Sequence, residues 1–503
     1  MKLNMMMIAA AVVLSQSCSV KSEKVSSGEK IPVVICFDVE DYTSPESVGM
    51  DDIPKWLAEI MTDEGVTGTF FVIGEKARMM EKRGRRDAIE AMARHDIGSH
   101  TNFGSIHPTV TEILENATWN EGKEVMLRNE TAGFDDLEQI FGQRPVNLAR
   151  HGGSYGPQLT GALSQMKAGY VYSPVSLPGH NAVWFCNAVN FHGEGDFGSF
   201  DNAYYRDDLF DPKLEALDSL VPQAIKDMDV VAFFANHPSK VRSIQFWDFN
   251  YYKGANPGPD EWETPDLRPL ESMQVAQKNF RRLIQYLKSR DDIELTTYRA
   301  LIERFSVQKD KITRDELGEI ATRILEEKEI VMDDQYAPAE YFSALAEALH
   351  HYTAEKQLPE ELMIRRTFGP MEMPVIDPQF ETVSTMEAIA LSNKAMEYII
   401  ETNHLPSTLS LEDKLIGTGS LLALFSELYM NILNSNLPDQ LSTISFKAYP
   451  SFNEENIIRE VSSCKGWPVH KEELDMSNLV EMTRLQLWTL KPAWDKHTSR
   501  TGS

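Results

Sequence analysis

The chain is short of basic residues. Its 503 residues hold 49 Lys and Arg against 76 Asp and Glu, a formal net charge of −27. Such a surface gives no footprint for a phosphate backbone, so nucleic-acid binding is excluded as a leading function. Cysteine is scarce too: Cys18, Cys36, Cys186 and Cys464 are the whole set. No two form a CxxC pair, which excludes a zinc knuckle and a disulfide framework. Beyond the first 20 residues no run is long and apolar enough to cross a bilayer. What is present is an apolar fraction of 42%. That suffices for a packed core and excludes a disordered chain. At roughly 150 residues per domain the length predicts two or three domains.

The N-terminus has a charged start at Lys2 and an apolar stretch from Leu3 to Leu14. Small residues follow, as in an export signal. The run Leu14-Ser15-Gln16-Ser17-Cys18 resembles the end of a bacterial lipoprotein signal, in which the Cys becomes the lipidated first residue. The resemblance implies residues 1–18 as signal peptide and an exported protein, lipid-anchored to a bacterial membrane of the cell envelope. Residues 19–30 (SVKSEKVSSGEK) are then a flexible tether. Cys36 and Cys186 sit in apolar strand-like runs and are expected as buried fillers.

From residue 31 to 304, short apolar runs alternate with amphipathic ones. Strands are predicted at Val33–Asp38, Gly68–Ile73, Asp96–Ser99, Val146–Arg150, Tyr170–Tyr172, Val230–Ala235 and Ile293–Thr297. Helical periodicity marks Pro54–Thr62, Arg86–Arg94 and Met273–Leu287. Strand-helix-strand repetition implies parallel pairing and an α/β barrel or doubly wound domain, with chemistry at the C-terminal strand ends. From residue 305 to 503 helical periodicity dominates, and an all-α accessory domain is expected. It carries an internal repeat: Leu358-Pro359-Glu360-Glu361-Leu362 returns as Leu437-Pro438-Asp439-Gln440-Leu441, each after an amphipathic helix (Phe342–Tyr352 and Leu421–Leu433). No catalytic motif is visible there, and His350-His351 reads as helix surface.

Polar residues gather at the predicted strand ends. Asp38, Glu40 and Asp41 close the first apolar run, a costly cluster unless a cation or a catalytic role offsets it. His100 follows the third strand and His107 comes seven residues later. Arg150 ends the fourth, and His237 follows the Val230–Ala235 run. Two imidazoles and a carboxylate suit a divalent metal with open positions, most simply zinc. A free carboxylate beside it serves as a base, a separate His as an acid, and an Arg holds the base ionised.

Three runs make a specific likeness: Phe37-Asp38-Val39-Glu40-Asp41, Thr69-Phe70-Phe71-Val72-Ile73-Gly74 and Asp96-Ile97-Gly98-Ser99-His100-Thr101. With Arg150-His151-Gly152-Gly153-Ser154-Tyr155 and Phe234-Ala235-Asn236-His237-Pro238, the chain resembles the polysaccharide deacetylase family, also called the NodB homology domain or carbohydrate esterase family four. The resemblance covers residues 31–304. It implies a distorted (β/α)7 barrel and metal-dependent hydrolysis of N-acetyl, or sometimes O-acetyl, groups on a glycan. It implies Asp38 as base, Glu40 with His100 and His107 as metal ligands, His237 as acid and Arg150 as the partner of the base. Backbone near Ser154-Tyr155 is implied in the oxyanion hole. The first motif reads Asp-Val-Glu-Asp, so Asp41 is the alternate ligand. The His spacing of seven exceeds the usual four and needs a bulge at Gly104.

The aromatic stretch Gln245–Tyr252 follows His237 and is read as a sugar-stacking wall, with Tyr155, Trp247 and Tyr251 as substrate-binding residues. One of Glu194, Asp196 and Asp201 is expected to orient His237. The C-terminal helices faintly resemble pseudomurein-binding repeats, which implies cell-wall binding. The acidity favours a neutral N-acetylated sugar as substrate. Two other readings share the barrel: a catalytically impaired glycan-binding lipoprotein, motivated by the wide His spacing, and an allantoinase-like amidase, disfavoured by export.

Overall fold

The computed structural model describes residues 30–193, 200–227, 229–234 and 237–496. The expected export signal and Cys18 lie outside the described residues, as do Glu194 and Asp196.

Nine strands of the first part are β1 (Ile31–Val39), β2 (Thr69–Val72), β3 (Asp96–Ser99), β4 (Asn147–Ala149), β5 (Gly169–Ser173), β6 (Ala182–Phe185), β7 (Ala188–His192), β8 (Val231–Phe234) and β9 (Ile293–Thr296). They join one mixed sheet of order β6-β7-β5-β4-β3-β2-β1-β8, with β9 also paired to β1. Seven of the nine coincide with the predicted strands. Their pairings are parallel, with helices in most connections, as right-handed crossovers require. The expected helices also form, at Asp52–Asp63, Arg86–Met92 and Glu271–Lys288. The result is a distorted (β/α) barrel: a curled, mostly parallel sheet with helices around it. The two strands not foreseen, β6 and β7, form an antiparallel hairpin at the edge.

β1 shows why the strands read as unbroken apolar runs. All nine of its residues are buried, the mark of a parallel strand covered on both faces. Alternate residues enter different cores. Ile31, Val33, Ile35 and Phe37 pack on the helices outside. Val34 and Cys36 pack inward with Phe71, Ala149 and Val171. Side chains alternate with period two, so Asp38 continues the inward row.

Residues after 305 are not all-α. Among the described residues from 306 to 450 are six short strands, β10 (Lys311–Thr313), β11 (Glu361–Met363), β12 (Thr382–Ser384), β13 (Thr408–Leu411), β14 (Lys414–Gly417) and β15 (Gln440–Ser442). β10 pairs β11, β12 pairs β15 and β13 pairs β14, all antiparallel. Runs of three or four residues are too short for a period-two pattern to stand out. The two stretches expected to repeat have related element orders: β10, Arg314–Glu327, Pro338–Glu355, β11, and then β12, Thr385–Thr402, the hairpin β13–β14, Thr418–Leu433, β15. The first helix of each stretch opens with the same capping box, Thr313 with Glu316 and Ser384 with Glu387. Such a cap is worth about 1 kcal/mol. The two stretches share one core, in which Phe342 meets Phe425 at 5.6 Å. The pair His350-His351 lies on the outer side of the helix Pro338–Glu355, His350 exposed and bonded to Asn393.

The chain then returns to the barrel. Helices Glu454–Ser463 and Ser477–Gln486 contribute Ile457, Val461, Leu479 and Leu485 to a core with Leu148, Tyr155 and Tyr170 of the barrel. A last strand, β16 (Lys491–Pro492), pairs with β6 and so joins the main sheet, making it ten-stranded. Lys491 on β16 is buried against Glu340 of the repeat, 2.8 Å apart, which ties the two parts together. The last forty residues, expected in the accessory domain, thus pack with the barrel.

Candidate metal centre and active site

The parallel order β4-β3-β2-β1-β8 aligns five strand ends in a row. Asp38 and Glu40 leave the end of β1, His100 that of β3, His151 that of β4, and His237 follows β8. Two overlapping groups result: Glu40 with His100 and His151, and Asp38 with Glu40 and His237. Glu40 Oε1 is 3.1 Å from His100 Nε2 and 3.2 Å from His151 Nδ1. Two ligands about 2.0–2.1 Å from one ion at 90–109° stand about 3.0–3.4 Å apart.

The hydrogen bonds around the cluster leave its inner atoms facing one another. His100 Nδ1 donates to the Ala149 carbonyl at 3.1 Å, so its Nε2 lone pair points at Glu40. Burial lowers the His100 pKa to about 4, which keeps the ring neutral. His151 Nε2 is bonded to the Ser105 hydroxyl at 3.0 Å, and its buried Nδ1 faces Glu40 Oε1. Glu40 Oε2 accepts the Trp247 indole N–H at 3.0 Å, which leaves Oε1 for the centre. Burial alone would raise the Glu40 pKa, but the His237 charge and the bonds of His100 and His151 hold it well below the carboxylate range. A carboxylate oxygen and two imidazole lone pairs, all buried and converging, repel one another unless a cation lies between them. The donor set of two imidazoles and one carboxylate, each oriented by an outer partner, fits zinc or a similar divalent ion.

Asp38 flanks the cluster. Its Oδ2 is 3.6 Å from His100 Nε2, and its Oδ1 accepts the Tyr172 hydroxyl at 3.4 Å. His237 stands on the other side, with Nε2 3.9 Å from both Asp38 Oδ2 and Glu40 Oε1. Asp201 takes both its Nδ1 and its backbone N–H at 2.9 Å. Burial opposes the charge, but Asp201, Glu40 and Asp38 together raise the His237 pKa to about 10. Asp201 is thus the orienting acid among the three expected.

The site residues foreseen in the sequence divide as follows. Asp38, Glu40, His100 and His237 converge. His107 does not. Thr101 and Gly104 turn the loop with positive φ, but they carry His107 to Glu112 and the Tyr251 carbonyl, 2.7 and 3.0 Å away. Both its ring nitrogens are spent there. Burial works against its charge, and Glu112 and Tyr251 raise its pKa. Asp41 is not the alternate ligand, because its carboxylate binds Thr43, Ser44 and their backbone in a turn. Arg150 holds Tyr172, whose hydroxyl binds Asp38. Its described bonds run to the Tyr172 carbonyl at 2.8 Å and Cys464 Sγ at 3.2 Å. Tyr155 is fully buried, with its hydroxyl on Thr483 and its N–H on Thr111, and the Ser154 N–H is bonded to His151. Those two amides are therefore not turned to an oxyanion. Trp247 and Tyr251 are buried with Tyr42 in an aromatic cluster, so Trp247 positions Glu40 instead of offering a face to a sugar.

His151 is the residue that sequence reasoning missed. The signal was period two along β4. Leu148 packs outward and Ala149 inward, so the next inward position is 151 and not 150.

No family model matches the sequence, and no curated protein matches it. Solved structures do resemble the fold. One is a protein from Mycobacterium smegmatis assigned as a polysaccharide deacetylase, 14% identical, with TM-score 0.36, over 56% of this chain and 92% of that one. Another is Puue allantoinase, 13% identical, with TM-score 0.36, over 54% and 89%. A third is a CE4 family pseudoenzyme from Bacillus anthracis, 10% identical, with TM-score 0.31, over 55% and 66%. The three differ in what they do, so the chemistry of this chain rests on its own site.

Proposed function

We propose that the chain is a metal-dependent deacetylase of N-acetylated, or O-acetylated, glycans at the cell envelope. The observation that carries it is the convergence of Glu40, His100 and His151 between a second acid, Asp38, and a charged imidazole, His237. Glu40, His100 and His151 would hold a divalent ion, which would supply Lewis acidity for activating water and polarising a carbonyl. Asp38 accepts the proton of the attacking water, and Tyr172 fixes its orientation. His237 is charged at neutral pH and delivers its Nε2 proton to the leaving amine, with Asp201 holding the ring. Its side chain keeps 19% exposure against 1–6% for His100, Asp38, Glu40 and His151, so the substrate enters on the His237 side.

The net charge of −27 favours a neutral acetylated sugar over an anionic one. Residues 1–18 act as the lipoprotein signal and Cys18 as the anchor. The alternative of an impaired glycan binder rests on the wide spacing of His100 and His107, and His151 at the cluster removes that ground. The test is acetate release from N-acetylated oligosaccharides with and without chelator. Release that chelator abolishes and zinc restores supports the proposal. Sugar binding that survives chelator, with no release from any acetylated glycan, refutes it.

A further inference from the structure

The segment between the helices Glu454–Ser463 and Ser477–Gln486 lies across the mouth of the barrel. The Trp467 ring stands 5.1 Å from the His151 ring at 87°. The His100 ring meets His151 from another side, at 4.8 Å and 89°. The segment is stitched to the barrel on every flank. Lys253 and Gly254 donate backbone N–H groups to the Pro468 and Val469 carbonyls, at 2.8 and 3.1 Å. The Lys471 N–H binds Glu112, the acid that also holds His107, at 2.9 Å. His470 lies between Thr109 and the Gly153 carbonyl.

The barrel motif is shaped to this segment. A Cβ at Gly152, where φ is +51°, would come 2.3 Å from Trp467 Cε2. A Cβ at Gly153 would come 2.3 Å from the Cys464 carbonyl oxygen. Both glycines directly follow His151, and only residues without a side chain admit the segment so closely.

We propose that Trp467, from beyond the helical repeat, is a positioning residue for His151, and that Cys464–Lys471 is a built-in wall of the reaction site. The His151 ring has Ser105 at Nε2 and Glu40 Oε1 3.2 Å from Nδ1. Contacts at the two nitrogens hold the ring by its edge and not across its face. The perpendicular indole adds a further hold and fixes where the Nδ1 lone pair points. The inference rests on the metal-centre reading of the site. It adds that the barrel sequence alone does not complete that centre.

The experiment uses the full chain, freed of metal and titrated with Co²⁺ alone, whose visible absorption reports ligand geometry. Trp467→Ala is expected to weaken Co²⁺ binding about 10- to 100-fold, the range for lost outer-shell partners, and to shift the absorption band. Trp467→Phe keeps a ring against His151 and is expected to stay within about threefold of the wild type. Glu472→Ala, which removes an exposed partner of Lys253 in the same segment, is expected to change neither affinity nor spectrum. If Trp467→Ala does not fold, Trp467→Leu fills the volume without a ring plane and carries the same expectation as Ala. Wild-type affinity and spectrum in Trp467→Ala or Trp467→Leu overturn the proposal, as does a wild type that binds no Co²⁺. A wild type that binds Co²⁺ but releases no acetate sinks the deacetylase reading and leaves the role of Trp467 standing.

Discussion

Replacing His151 by Ala separates the site seen in space from the one implied by spacing. The proposed centre would have three protein ligands, with Glu40 Oε1 within 3.1 and 3.2 Å of the two imidazoles. Zinc held by about four protein ligands is bound by about 10–16 kcal/mol, so one ligand is worth about 3 kcal/mol. That is about two orders of magnitude in Kd. His151→Ala also strips the Ser105 hydroxyl of its partner, which makes 100-fold a lower bound. His107→Ala instead breaks a clamp to Glu112 and the Tyr251 carbonyl. Losing it costs about 1–3 kcal/mol of stability and leaves the metal affinity within about threefold. The assay is competition for zinc against a chromogenic chelator at pH 7.5, with thermal melts of the same samples. Loss of zinc from His107→Ala with retention in His151→Ala would falsify the reasoning.

Four further outcomes are expected. Asp38→Asn abolishes acetate release while the melting temperature and zinc content stay near wild type; residual turnover above about 1% speaks against Asp38 as base. Asp201→Asn, which takes away the partner of His237, lowers turnover of an N-acetyl sugar about 10²-fold. It spares an activated aryl acetate, whose leaving group needs no proton, and equal losses on both would count against His237 as acid. Glu130 is 2% exposed, and burial raises its pKa from 4.5 to about 8. The folded state then keeps a proton that the unfolded chain releases, so stability falls as pH rises from 4.5 to 8, by up to about 5 kcal/mol. Glu130→Gln should match the wild type near pH 5 and melt higher at pH 8, and parallel pH profiles for the two would contradict this. Cys18→Ser is expected to move the protein from the membrane to the soluble envelope fraction and to abolish labelling by a fatty-acid analogue; unchanged labelling refutes the anchor.

The strands of the barrel were legible because parallel strands buried on both faces are written as unbroken apolar runs, as Val33–Phe37 is. The acids at the end of β1 were legible for the opposite reason: charge that interrupts such a run is costly and so marks a task. Other parts were hidden. β10 to β15 are antiparallel strands with exposed or half-exposed residues and no apolar run longer than two, so nothing marks them as the buried parallel strands are marked. The aromatic run at Trp247 looked like a sugar platform because composition does not say which way a ring points. In the fold its indole N–H is turned inward to Glu40.

By itself the sequence determined the α/β order of the first part and four converging residues, Asp38, Glu40, His100 and His237. These depend on local pattern and on position relative to a strand end, which a linear chain records. Only the tertiary structure decided that His151 and not His107 joins Glu40, and that Trp467 reaches the site from more than 300 positions away. Coordination and ring packing act through space, over distances set by which strands lie side by side. No spacing along the chain encodes that neighbourhood until the sheet has formed.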